Sequence, residues 1–265
     1  MAAQETARGT LLNGTIRITA LGTSHGSPTR ERFNTSTLVE IPDGRGFLVD
    51  AGTPVLALLI RKGFQIKNLK AVFITHMHQD HFGGIPDIMK YWVKILPREN
   101  RLMICLPEDG AAEKIFAFTE LAHREIYRDM FDFRVIDPED PVLFPGLKVN
   151  GIRTDHFSNE NLHYPSYAVM FEHQGKKILH TGDLSRDFHD FPVGTEADMA
   201  FCELTHYPLG KALPILAGEK FGKLVFTHIG NEWHGQAAEA KFRQMVSGLP
   251  YPAVIAHDGD EFDLR

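Results

Sequence analysis

Apolar positions recur along this chain in short runs separated by turn-forming residues. Thr15 to Leu21 alternates apolar and polar side chains and stops at Gly22-Thr23-Ser24, which predicts an opening strand and a tight loop. Ser36 to Ile41 and Gly46 to Val49 flank Pro42-Asp43-Gly44, so a hairpin is expected there. A helix is predicted from about Pro54 to Lys62, with proline in its first turn and Gly63 at its end. Ala71 to Ile74 reads as a strand leading into a histidine-rich loop, and a second helix should start near Phe82 and run towards Ile95. Further strands are expected at Arg101 to Cys105, Phe131 to Ile136, Leu147 to Arg153, Tyr167 to Phe171, Lys177 to His180, Met199 to Cys202, Lys223 to Thr227 and Val254 to Ala256. Helices fit Ala111 to Tyr127, Leu213 to Phe221 and Gln236 to Val246. Many strands with interspersed helices indicate an α/β sandwich of layers whose loops at strand ends are available for a site.

No Ser/Gly-rich or charge-block linker interrupts this pattern, so residues 15–265 are read as a single hydrolase domain after a flexible tail at 1–14. The formal charge of −6, with acids and bases interleaved, argues against a sequence-independent grip on a polyanion. Cys105 and Cys202 both sit in apolar runs as small hydrophobes, which points to no disulfide framework and to a reducing, cytoplasmic setting. The first fourteen residues lack the apolar core of a secretory signal, and no run is long enough to span a membrane.

Histidine changes the picture. Of the fourteen in the chain, three crowd with an aspartate into Thr75-His76-Met77-His78-Gln79-Asp80-His81. Donors at i, i+2, i+4 and i+5 do not share one helical face, so they suit a loop between strand and helix. Imidazole and carboxylate bind zinc and other divalent metals, and four donors in six residues exceed what one tetrahedral ion with an open position needs. Two ions sharing the cluster is the economical reading, against the blander one of a solvated turn.

The segment resembles the metallo-β-lactamase superfamily, and the resemblance extends over nearly the whole chain. It is carried by His-x-His-x-Asp-His at 76 to 81, by the strand-end Leu48-Val49-Asp50-Ala51-Gly52, and by Thr154-Asp155-His156-Phe157, Thr181-Gly182-Asp183-Leu184 and Phe226-Thr227-His228-Ile229 in that order. The resemblance implies a four-layer αββα sandwich, the metallo-β-lactamase fold. It implies that His76, His78 and His156 bind one metal, that Asp80, His81 and His228 bind the other, and that Asp183 bridges them. Asp50 would orient a ligand without touching metal. His163 competes with His156, and His257 with His228, for their places; the first of each pair fits its strand end better. His25 could face the site from the opening loop. His123, His173, His180 and His189 are read as surface or packing residues.

Two divalent cations, Zn2+ with Mn2+ or Fe2+ as alternatives, imply hydrolysis by a metal-bridging hydroxide. Asp80 would orient it as well as bind metal, and His206, paired with Glu203, is the candidate proton donor to the leaving group. Gly22-Thr23-Ser24, Gly83-Gly84-Ile85-Pro86, Glu203-Leu204-Thr205 and Thr227-His228-Ile229 resemble the ribonuclease Z and phosphodiesterase branch. Only 26 residues separate His156 from Asp183, too few for the long tRNA-binding arm of ribonuclease Z, and no Gly-His-Ser-like segment lies between Glu203 and His228. The expected substrate is therefore a small or nucleotide-derived phosphodiester, with no membrane partner and no extended tRNA contact; self-association stays open. The alternatives are a lactonase or other carboxylic-ester hydrolase, and a ligand sensor that keeps its metals with little turnover.

Overall fold

The computed structural model describes residues 12, 14–123, 125–160 and 163–265, so the tail expected over 1–14 falls almost wholly outside it. The chain opens with β1 (Ile16–Gly22), β2 (Ser36–Glu40) and β3 (Gly46–Val49), then α1 (Val55–Lys62) and β4 (Leu69–Phe73). The histidine loop leads into the single turn α2 (Gln79–Phe82), followed by α3 (Ile85–Ile95), β5 (Leu102–Leu106), α4 (Ala111–Ala122) and β6 (Phe131–Val135). The second half contains β7 (Val142–Phe144), β8 (Leu147–Thr154), β9 (Ser166–His173), β10 (Lys176–His180), β11 (Glu196–Ala197) and β12 (Met199–Leu204). It ends with α5 (Leu209–Leu216), β13 (Lys220–Phe221), β14 (Leu224–Ile229), α6 (Gln236–Val246), β15 (Ala253–Ile255) and β16 (Asp260–Leu264).

Two seven-stranded sheets result, ordered β16-β1-β2-β3-β4-β5-β6 and β15-β14-β12-β10-β9-β8-β7. Strand periodicity explains how they stack. Phe47, Val49, Ala71 and Phe73 of the first sheet share a core with Val149, Phe171, Ile178, Phe201 and Val225 of the second. Their chain neighbours Leu48 and Val72 point the other way, onto Val55 and Leu59 of α1, Trp92 of α3 and Ile115 of α4. On the far side Cys202, Leu204 and Phe226 meet Leu209 and Leu216 of α5 and Phe242 of α6. With both faces covered, the inner strands bury nearly every residue and read as apolar runs. The architecture is the αββα sandwich. Both cysteines are free and buried, and burial pushes each thiol up to about 12. Among the described residues no helix is long and apolar enough to cross a membrane.

Three helices differ from expectation. The helix expected from Phe82 is broken at Gly83-Gly84, because the Gly84 N–H donates to the Ala51 carbonyl at 2.7 Å and a side chain there would strike that oxygen. The helix expected over Leu213 to Phe221 instead occupies Leu209–Leu216, directly after Pro208; Lys220–Phe221 pairs with Glu196–Ala197 as a two-stranded ribbon. The helix expected over Ala111 to Tyr127 stops at Ala122.

β4 runs parallel to β3 and β5, and β10, β12 and β14 run parallel to one another, with β8 pointing the same way across antiparallel β9. The Tyr167 N–H at the start of β9 donates to the Thr75 carbonyl just past β4 at 3.0 Å, which joins the two sheets at the carboxyl end of β4. Loops at the carboxyl ends of these strands therefore converge, as ligand-binding loops of parallel sheets do.

Candidate metal centre

Thr75 anchors the histidine loop. Its N–H and hydroxyl reach Asp50 Oδ1 at 2.9 and 3.1 Å, and the loop then folds back so that the Ala51 N–H donates to the His81 carbonyl. The approach is close: a Cβ on Gly52 would lie 2.1 Å from the Asp80 carbonyl oxygen and 2.7 Å from that of Thr35. Only glycine fits between these two segments.

The loop and three later strand ends bring the seven expected donors together. His76, His78, His156 and Asp183 offer ligand atoms within 4.8 Å of one another, and so do Asp80, His81 and His228. Asp183 Oδ2 lies between the groups, 3.6 Å from His76 Nε2, 3.3 Å from His81 Nε2, 3.5 Å from His228 Nε2 and 4.0 Å from His156 Nε2. On the second side Asp80 Oδ2 is 3.3 Å from His81 Nε2 and 3.2 Å from His228 Nε2.

Hydrogen bonds behind the rings select which nitrogen faces the centre. His81 Nδ1 donates to Asp50 Oδ2 at 2.8 Å and His156 Nδ1 donates to the Leu184 carbonyl at 3.0 Å, which turns both Nε2 atoms inward. His228 is aimed differently. Glu203 pairs with Thr227 and Leu204 with Ile229, so His228 is the extra residue of a β-bulge and takes a left-handed φ of 48°. Its carbonyl accepts a hydrogen bond from the Thr205 hydroxyl.

The donor set fits divalent metal. His81 Nε2 and Asp183 Oδ1 are buried without a hydrogen-bond partner among the described residues, which is costly unless a cation satisfies them. Burial and neighbouring imidazoles hold His76 and His78 below the usual histidine range, so they stay neutral, as ligands must be. Burial opposes charge on His81 too, but the carboxylates of Asp183, Asp50 and Asp80 outweigh it and raise that imidazole well above its ordinary value. Burial would raise Asp80 and Asp183; His81 and His228 overcome it and hold both carboxyls well below the usual range.

The Glu203-His206 pair expected from sequence borders the same centre. His206 Nδ1 is 2.9 Å from Glu203 Oε1 and 3.7 Å from Asp183 Oδ2, and its ring lies 4.7 Å from that of His156. Glu203 also accepts from the N–H groups of Leu184, Thr205 and His206, and Tyr207 donates its hydroxyl to the Glu203 carbonyl. Burial lowers the His206 imidazole, but Glu203 and Asp183 outweigh it and raise it to about 9.

Several histidines lie elsewhere. His257 is exposed and pairs with Glu239 and Asp260, so the last position of the cluster is taken by His228. His163 is exposed, whereas His156 is nearly buried. His25 bonds to Asn231 at 3.0 Å, three residues past His228. His173 and His180 are buried packing residues; His180 Nε2 reaches Thr37 Oγ1 of the facing sheet at 3.3 Å. His189 is at the surface against Asp187. Sequence reasoning did not single out Thr75 or Phe157. The position of Thr75, immediately before the motif and after a buried strand, was the available signal; that of Phe157 was its place directly after His156.

The family model for the Anti-Pycsar protein Apyc1 matches residues 16–211. The ribonuclease Z of Halobacterium salinarum is 24% identical over 303 aligned positions that cover 92% of this chain and 96% of the relative. The Anti-Pycsar protein Apyc1 of Paenibacillus harenae is 27% identical over 65% of this chain and 69% of its own. Among solved structures, the metallo-β-lactamase fold protein YhfI of Bacillus subtilis superposes with a TM-score of 0.74 at 20% identity, covering 94% of this chain and 100% of that one. The short form of human tRNase Z does so with a TM-score of 0.67 at 20% identity, covering 93% and 98%. With the fold, the ordered motifs and a family match over most of its length, the chain belongs to the Anti-Pycsar protein Apyc1 family, a ribonuclease Z-like group of the metallo-β-lactamase superfamily of hydrolases.

Proposed function

We propose that residues 15–265 form one two-metal hydrolase domain acting on a small or nucleotide-derived phosphodiester. The observation that carries this reading is the place of Asp183 Oδ2 between two donor groups, with three imidazoles on one side and Asp80, His81 and His228 on the other. Two divalent ions held there, zinc being the first choice for this nitrogen and oxygen set, would activate a water near neutral pH and polarise a phosphoryl oxygen.

The chain's own groups supply the rest. Asp80, with one carboxylate oxygen near His81 and His228, orients the attacking water. His206 is held through Nδ1 by Glu203, which leaves Nε2 to give a proton to the departing alkoxide. Asp50 keeps His81 in one tautomer, and Phe157 packs on the His76, His78 and His156 rings and shields that side from water. The ribonuclease Z relatives support a phosphodiester over a lactone. The alignment with the Halobacterium protein runs to 303 positions, more than the 265 residues of this chain, so that relative has stretches without counterpart here. A compact phosphodiesterase, of the kind that opens a cyclic ribose phosphate, fits the short connection from His156 to Asp183.

A paired assay tests the reading. Metal-loaded protein should hydrolyse bis(p-nitrophenyl) phosphate well above an acyl lactone, and preferred lactone turnover would make it a carboxylic-ester hydrolase. Metal analysis of protein purified without supplement should find zinc; iron in excess over zinc would reverse that choice.

A further inference from the structure

The imidazoles around the centre differ in access: His76 is wholly buried, while His78 and the proposed proton donor His206 are partly exposed. Beside His78 stands Phe157, 5% exposed. Its ring centroid lies 4.9 Å from those of His78 and His156 and 5.6 Å from that of His76, each edge-on. On its outer side Phe157 meets Tyr164, again edge-on, at 5.6 Å. Tyr164 keeps 54% of its surface in solvent.

A lone exposed tyrosine would need no explanation. This one touches the residue that walls three metal ligands, so it presents a π face one ring away from the reacting centre. Neither Tyr164 nor the outer face of Phe157 has work in the metal or proton chemistry described above. In a nucleoside phosphate the base stands one sugar away from phosphorus, so a ring beside the centre is placed to meet it. Tyrosine suits the task because its flat ring loses little freedom on contact and its hydroxyl stays in water. On the other side of the loop cluster His25 bonds to Asn231 and its ring lies 6.5 Å from that of His234, a polar pair rather than a tyrosine face.

Resting on the phosphodiesterase reading, we infer that Tyr164, backed by Phe157, is a stacking platform for the base of a nucleotide-derived substrate. The site then selects phosphodiesters that carry a planar heterocycle on the sugar. Every base has a π face, so the platform favours nucleotides over sugar or alkyl phosphates without reading base identity.

The test compares binding of a nucleoside 5′-monophosphate and of ribose 5-phosphate to the zinc-loaded protein by calorimetry, for wild type, Tyr164→Ala and Tyr164→Trp. Wild type should prefer the nucleotide. Tyr164→Ala should shrink that preference by about tenfold, equivalent to about 1.4 kcal/mol, and Tyr164→Trp should keep it. Equal wild-type affinities, or a preference unchanged in Tyr164→Ala, would overturn the platform. Its failure is distinct from that of the parent reading: lost preference with retained phosphodiester hydrolysis removes the platform alone, while absence of any phosphodiester hydrolysis removes the activity without deciding the binding ratio.

Discussion

Asp50 Oδ2 lies 2.8 Å from His81 Nδ1, and both side chains are shut off from solvent. The same carboxylate holds the backbone of Thr75 through its other oxygen. One buried acid thus fixes both the start of the ligand loop and the tautomer of its last histidine.

Asp50→Asn keeps the size of the side chain but removes its charge. Zinc affinity, measured by competition with a chromogenic chelator, should fall by about 10- to 100-fold. An affinity equal to wild type would show that His81 needs no such partner.

His206→Ala should slow a substrate whose leaving group is a poor alkoxide by about 100-fold or more, the range of general acid catalysis. Bis(p-nitrophenyl) phosphate, whose leaving group needs no proton, should suffer far less. Equal loss on both substrates would assign His206 to structure or metal binding.

Burial lowers the His180 imidazole to about 4, so it is neutral in the folded protein at pH values where the unfolded chain, near 6.5, is protonated. The unfolded state then binds the extra proton, and stability drops as pH falls from about 6.5 to about 4. The urea midpoint of metal-free protein should fall over that window. In His180→Asn, which retains an acceptor for the Gly182 N–H, the slope there should be shallower; an unchanged slope would move the effect to other groups.

Gly52→Ala forces a methyl carbon against the Asp80 and Thr35 carbonyls, whereas Gly210→Ala meets nothing within 4 Å. The first should cost about 1 to 3 kcal/mol in denaturant unfolding and weaken metal retention, and the second should do neither. Matching stabilities would mean that the loop shifts freely.

The inner strands were legible because a strand buried on both faces shows as an apolar run, as at Leu69–Phe73 and Leu224–Ile229. β16 was not: its Asp-Glu-Phe-Asp-Leu carries three acids at a sheet edge, where half the residues face water. β7 has three residues between prolines, too few to show a period. α5 was misplaced because Phe221, the apolar residue read as its end, lies beyond Ala217-Gly218-Glu219-Lys220 and belongs to the β13 ribbon. At the site, residue types and order picked out the seven side chains that the structure gathers. The bulge that turns His228 inward left no trace in the sequence, since an inserted residue is visible only against its partner strand. The Leu184 carbonyl behind His156 is a backbone group, which no residue type announces.

Four of the seven donors lie in the first half of the chain and three in the second. His76 and His78 meet His156 and Asp183, and Asp80 and His81 meet His228 and Asp183, so each group joins a loop of the first sheet to strand ends of the second. Bound cations would therefore rivet the seam between the sheets. The halves are connected by Asp137 to Asp140, all exposed. In protein nicked there, zinc should raise the urea midpoint and a chelator should lower it again, the mark of a clasp across the fold.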